Sequence, residues 1–151
     1  MIISRHSIST RPLLLLLVLL LIGSAGCGRK DMPQPATTEA SFQWARATAV
    51  PELMCLRVDA ELEGNLRNVA SVVLELQTAS DVSDCPGCPF SPNERTEFAP
   101  EALGITPSSG GISTLYCPTR EALAYRWRLV GTNVHGSLAH ALTPVEFVEM
   151  R

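Results

Sequence analysis

From Ser41 onward apolar residues recur at every second position. Met54, Leu56, Val58, Ala60 and Leu62 alternate with Cys55, Arg57, Asp59, Glu61 and Glu63. That pattern predicts a strand with one face in a core and the other in water. Gly64-Asn65 ends the run. Val72, Leu74 and Leu76 then alternate with Val73, Glu75 and Gln77, and Tyr125, Trp127 and Leu129 alternate with Arg126, Arg128 and Val130, giving two more strands. Val145 and Phe147 predict a last strand, and shorter ones are expected around 42–46, 96–98 and 112–117. Residues 52–66 also admit a helix, because Leu and Glu are good helix formers, but their apolar positions follow period two better than 3.6. Short strands separated by loops predict an all-β fold, an antiparallel β-sandwich. Residues 80–110 break the pattern with Pro86, Pro89, Pro92, Pro100 and Pro107 among several Gly and Ser. They read as a long loop and, since loops of that length often carry function, as the expected contact surface.

The first forty residues follow a different rule. Residues 13–22, LLLLLVLLLI, contain no polar side chain. The run is short for a transmembrane helix, which needs roughly 20 apolar residues. Arg5 and Arg11 precede it and Gly23-Ser24-Ala25-Gly26 follow, the layout of a secretory signal. Ser24-Ala25-Gly26-Cys27 resembles the lipobox of bacterial lipoproteins, with Ser24 where that family usually has Leu. The resemblance implies cleavage before Cys27, diacylglycerol on its thiol and an acyl chain such as palmitate on its new amine. Each buried CH₂ contributes about 0.8 kcal/mol, so several chains on one residue hold a protein on a membrane where one would not. Gly28, in place of Asp, implies by the same resemblance the periplasmic face of the outer membrane. Residues 1–26 are thus the expected signal peptide, and 27–40, with Pro33 and Pro35, a lipidated Cys and extended linker. Residues 41–151 are the domain.

Charge narrows the partners. The chain has 12 Lys and Arg against 15 Asp and Glu, and the leader removes Arg5 and Arg11 but no acid. Ten basic residues then face 15 acidic ones, a mature charge of −5. Such a chain lacks the basic footprint of a nucleic-acid binder. The expected partners are the membrane, through the lipid, and another envelope protein.

The segment Tyr125-Arg-Trp-Arg-Leu-Val-Gly-Thr-Asn133-Val-His-Gly136-Ser137 resembles the penultimate strand and following turn of fibronectin type III domains. Tyr125, Trp127, Leu129, Asn133, Gly136 and Ser137 carry the likeness. Gly131 stands where that family has Ala, and the upstream TREAL departs from its usual Leu-x-Pro-x-Thr. The resemblance implies an immunoglobulin-like or fibronectin type III-like sandwich in which Tyr125 buries its ring and sends its hydroxyl to a backbone group at the corner.

Cys55, Cys85, Cys88 and Cys117 remain after Cys27, an even number in an exported domain, and allow three connectivities. In a fibronectin-like order the strand bearing Cys55 neighbours the one ending at Cys117, so the resemblance implies a Cys55–Cys117 bond and leaves Cys85 to Cys88 across Pro86-Gly87. Crossed pairing, tying the long loop to the sheet, is the rival.

Cys85-Pro-Gly-Cys88 also has the spacing of a thiol–disulfide exchange site. Pro89 and Pro92 rather than a helix follow it, and Asp81 and Asp84 would raise a thiol pKa, so a staple is expected and a redox accessory role is the alternative. Zinc held by four Cys would need two close pairs, and the chain has one. His135 and His140 lack a third ligand and read as surface residues. Asp59, Glu61 and Glu63 read as the wet side of a strand. Trp127 reads as core, and Trp44 as core or contact. No phosphate-binding loop or nucleophile elbow occurs. With no catalytic constellation, no metal and no cofactor expected, the sequence points to a non-enzymatic envelope lipoprotein that binds or spaces another component.

Overall fold

The alternation around Leu56, Leu74 and Trp127 produces two antiparallel sheets packed on one core. A computed structural model describes residues 41–79 and 88–150, within a compact unit spanning Pro35–Arg151. The expected signal helix, Cys27, the linker and Cys85 lie outside the described residues. The strands are β1 (Phe42–Glu52), β2 (Cys55–Gly64), β3 (Val69–Ala79), β4 (Glu94–Phe98), β5 (Gly111–Tyr116), β6 (Ala124–Asn133), β7 (Ala141–Leu142) and β8 (Glu146–Glu149). One sheet has the order β1-β2-β5; the other runs β4-β3-β6-β7, with β8 also paired to β6. The all-β sandwich expected from the period-two pattern is therefore present.

Inward-facing residues come from both sheets. Leu56, Val58, Ala60 and Leu62 of β2 meet Val72, Leu74 and Leu76 of β3 and Tyr125, Trp127 and Leu129 of β6, all buried. Trp127 is core, as its pattern implied. Trp44 packs against this core and donates its indole N–H to the Ala141 carbonyl at 3.0 Å, bridging β1 to β7. Gly131 allows the Phe42 ring to lie against β6, since a Cβ there would stand 2.7 Å from Phe42 Cε2.

Several elements differ from expectation. β1 runs to Glu52 rather than stopping at Arg46. A bulge between Trp44 and Arg46 shifts its inward face from Phe42 and Trp44 to Ala47 and Ala49, which hides the alternation. The last strand begins at Glu146, with Val148 buried, while Val145 and Phe147 face outward. Met54 belongs to the β1–β2 turn rather than to β2. Residues 88–110 do contain the strand expected around 96–98, which begins two residues earlier at Glu94. They form β4 and a 3₁₀ turn at Pro100–Leu103, and the stretch before β4 is hydrogen-bonded to β3 through Asn93 N–H and Leu76 O at 2.9 Å.

Candidate interaction surface

The chain reaches the sandwich at Phe42 and first turns at Leu53-Met54. Eleven strand residues at about 3.3 Å each put that turn roughly 35 Å away, at the opposite end. Here β2 begins opposite the end of β5, and Ala124 of β6 sits between Ala79 and Glu149. Three segments distant in sequence therefore meet at the far end: the β1–β2 turn, residues 117–123, and Met150.

Each is held by a specific bond. Cys55 and Cys117 form a disulfide with Cα atoms 4.0 Å apart, the pairing that the strand order implied. Tyr125 buries its ring and donates its hydroxyl to the Arg120 carbonyl, the corner bond expected of it. Met150 N–H donates to Leu123 O at 2.9 Å. Between these segments lies a cavity of about 510 Å³, lined by Leu53, Met54, Pro118, Glu121, Ala122 and Leu123 among others.

Its rim is apolar and open to solvent. Leu53 is 94% exposed, Leu123 73% and Met54 64%. Val50 and Leu115 continue the surface onto the outer face of β1 and β5, both flanking Arg57. Five of the nine exposed large apolar side chains among the described residues thus gather at one end. A monomeric domain rarely concentrates apolar surface in this way without a binding role.

Leu53 sharpens the point. It has φ 59° at the first position of a two-residue turn, where hairpins favour Gly or Asn. A left-handed conformation costs an ordinary residue about 1–2 kcal/mol, and nothing in the fold recovers that cost, because the side chain is in water. Leu53→Gly is expected to leave stability unchanged or raise it by up to ~1 kcal/mol, since relief of strain is offset by glycine's greater chain entropy. Urea midpoints of the two proteins check this; a clear loss would mean that Leu53 supports the fold.

Beside the disulfide, the open edges of the two sheets are latched together. Tyr116 donates its hydroxyl to Glu94 Oε1 at 2.5 Å, Thr119 N–H donates to the same oxygen at 2.9 Å, and Thr96 Oγ1 donates to the Tyr116 oxygen at 2.8 Å. Burial pushes the Glu94 pKa up, but the hydrogen bonds from Tyr116 and Thr119 outweigh it and hold the carboxyl below its ordinary 4.5. Burial, then the neighbouring carboxylate, pushes the Tyr116 hydroxyl up. A depressed carboxyl pKa contributes stability in full above 4.5 and loses it as pH falls through the lower folded value. The stability gap between the native chain and Glu94→Gln is therefore expected to narrow between about pH 6 and about pH 3. Denaturation midpoints across that range measure it, and a constant gap would exclude the latch as an acid-sensitive element.

The other residues singled out in the sequence lie elsewhere. Cys88 is disulfide-bonded, and its carbonyl accepts from Arg126 Nη2 at 3.0 Å. His135 and His140 are exposed in the β6–β7 connection, away from the groove. Asp59, Glu61 and Glu63 lie on the outward face of β2, where Arg57 pairs with Asp59 at 3.5 Å and Arg46 with Glu61 at 3.0 Å. Among the described residues no cluster of His, Cys, Asp or Glu is placed to hold a metal.

Pattern reading located the contact surface on the Pro-rich segment and passed over Leu53, Met54, Leu123 and Met150. One signal was available: Leu-Met occupies a hairpin tip, where turn chemistry calls for Gly, Asn or Asp. No protein-family model matches the sequence, and no curated protein does.

Proposed function

We propose that this chain is a bacterial envelope lipoprotein, tethered by lipid on Cys27 to the periplasmic face of the outer membrane, whose fibronectin type III-like domain binds another envelope protein without catalysing a reaction. Ser24-Ala25-Gly26-Cys27 supports the tether. The position of β2 between β1 and β5, and the Tyr125 corner bond, support the family likeness. The observation that carries the binding role is the apolar rim at the end opposite Phe42, with Leu53 kept exposed in a costly conformation.

Bacteria expressing the full chain and fed a clickable palmitate analogue test the tether. The native chain is expected to carry the label and sediment with membranes, and Cys27→Ser to lose both. Label on Cys27→Ser would refute the lipid site. A photo-crosslinking residue at Leu53 or Leu123 is expected to give a defined adduct in intact cells, and one at Val134, at the other end, none. The absence of adducts from the far end would remove the binding role and leave a spacer.

A further inference from the structure

The groove's chemistry narrows what it can hold, given the binding role proposed above. Its walls are aliphatic and thioether, from Leu53, Met54, Ala122, Leu123 and Met150, and its volume of about 510 Å³ suits inserted side chains rather than a flat surface. Methionine walls adapt to the shape of an apolar guest. One wall carries a carboxylate, Glu121.

Among the described residues, the other carboxylates at this end are engaged. Glu52 is bonded to Arg57 at 3.0 Å, Glu94 accepts from Tyr116 and Thr119, and Glu149 also has an interaction within the chain. Glu121 is exposed and has no hydrogen bond or ion pair among the described residues. A carboxylate beside an apolar cavity favours a guest whose cation lies next to its apolar group.

We infer that the far-end groove takes a protein segment in which an aliphatic or aromatic side chain is flanked by lysine or arginine. The apolar group enters between Met54, Leu123 and Met150, and the cation meets Glu121. A second copy docked end to end would bring two Glu121 carboxylates together. An anionic bilayer would be repelled by the same group.

The test uses the full lipidated chain in nanodiscs of zwitterionic lipid, with methyl-labelled methionine. Met54 and Met150 report on the groove, and Met32, in the linker sequence, is the internal reference. The probes are two short capped peptides with the same leucine-tryptophan centre, one flanked by lysines and the other by glutamates. The lysine peptide is expected to shift the Met54 and Met150 methyls but not Met32, and to bind roughly two- to fivefold more tightly than the glutamate peptide at low salt. Glu121→Lys is expected to reverse that preference while leaving the fold intact, since the side chain is exposed.

Equal binding of both peptides would overturn the inference but leave a binding groove. Failure of both peptides would also overturn it, and adducts from Leu53 in cells would then still support the binding role. Methyl shifts on moving from detergent to the disc without peptide would identify the bilayer as the occupant, and shifts on raising protein concentration a second copy. Either would refute the peptide assignment.

Discussion

Replacing Cys55 and Cys117 together by Ala is expected to cost the domain about 4 kcal/mol, by the loop-entropy relation for a bond that closes 62 residues. The bond joins the start of β2 to the residue after β5. β5 is an edge strand whose ladder is made with β2 alone. Without the cross-link, the residues from Cys117 to Leu123 are held at their start by one edge ladder and the Thr119 bond to Glu94, and farther on by the Tyr125 and Met150 bonds. The loss therefore falls on the groove as well as on global stability. Guanidinium denaturation of the native chain and the double variant measures the first effect, and crosslinking from Leu123 the second. A loss below about 1 kcal/mol would mean that the unfolded chain is already compact enough for the bond to constrain little.

Glu75→Ala is expected to cost about 2–3 kcal/mol, at or just under the range for breaking a buried ion pair by removing one partner. Glu75 lies on the outward face of β3 yet is only 2% exposed, because its neighbours cover it. Arg95 of β4 reaches it at 2.7 Å, and Arg128 of β6 at 2.6 Å. Phe90 closes the top, its ring centre 4.9 Å from the Arg128 guanidinium and 5.8 Å from that of Arg126. Removing the carboxylate leaves Arg128, 27% exposed, without its anion beneath an aromatic ring, whereas Arg95, at 63%, can turn to water. That asymmetry sets a rank order. Arg95→Ala is expected to cost under about 1 kcal/mol, because the Glu75–Arg128 bond survives, and Arg128→Ala more, because the carboxylate then depends on an exposed partner. Urea titrations of the three variants decide it. Equal losses from both arginines would show that burial of Glu75, not its choice of partner, sets the energetics.

These expectations separate the two faces of the second sheet. Its inner face is an ordinary apolar core. Its outer face gathers Arg95, Arg126 and Arg128 around Glu75 beneath Phe90, with the stretch before β4 secured by Ser91 N–H to Gln77 Oε1 at 3.0 Å and Asn93 Nδ2 to Thr78 Oγ1 at 2.8 Å. The described residues of the Pro-rich segment that precede β4 pack on this outer face.

Alternation alone placed β2, β3 and β6 and named their inward residues, because the pleat is a local property: successive side chains point to opposite faces whatever lies beyond them. The likeness around Tyr125 supplied the corner bond and, through strand order, the Cys55–Cys117 pairing. The bulge in β1, the one-residue register of β8, the burial of Glu75 and the far-end groove were decided by the tertiary structure. A bulge inverts the pattern that reveals a strand, so β1 read as half its length. Val145, Phe147 and Val148 are all apolar, and only pairing with β6 selects which faces in. Glu75 is polar at a position that alternation assigns to water, and it is dry because Arg95 and Arg128, twenty and fifty-three residues later, fold over it. The groove joins Leu53 to Leu123 and Met150 across some seventy to a hundred residues. Its apolar residues carry no periodic mark because they sit in turns and ends, where neither core packing nor the pleat dictates the side chain, and only the meeting of distant segments makes them a surface.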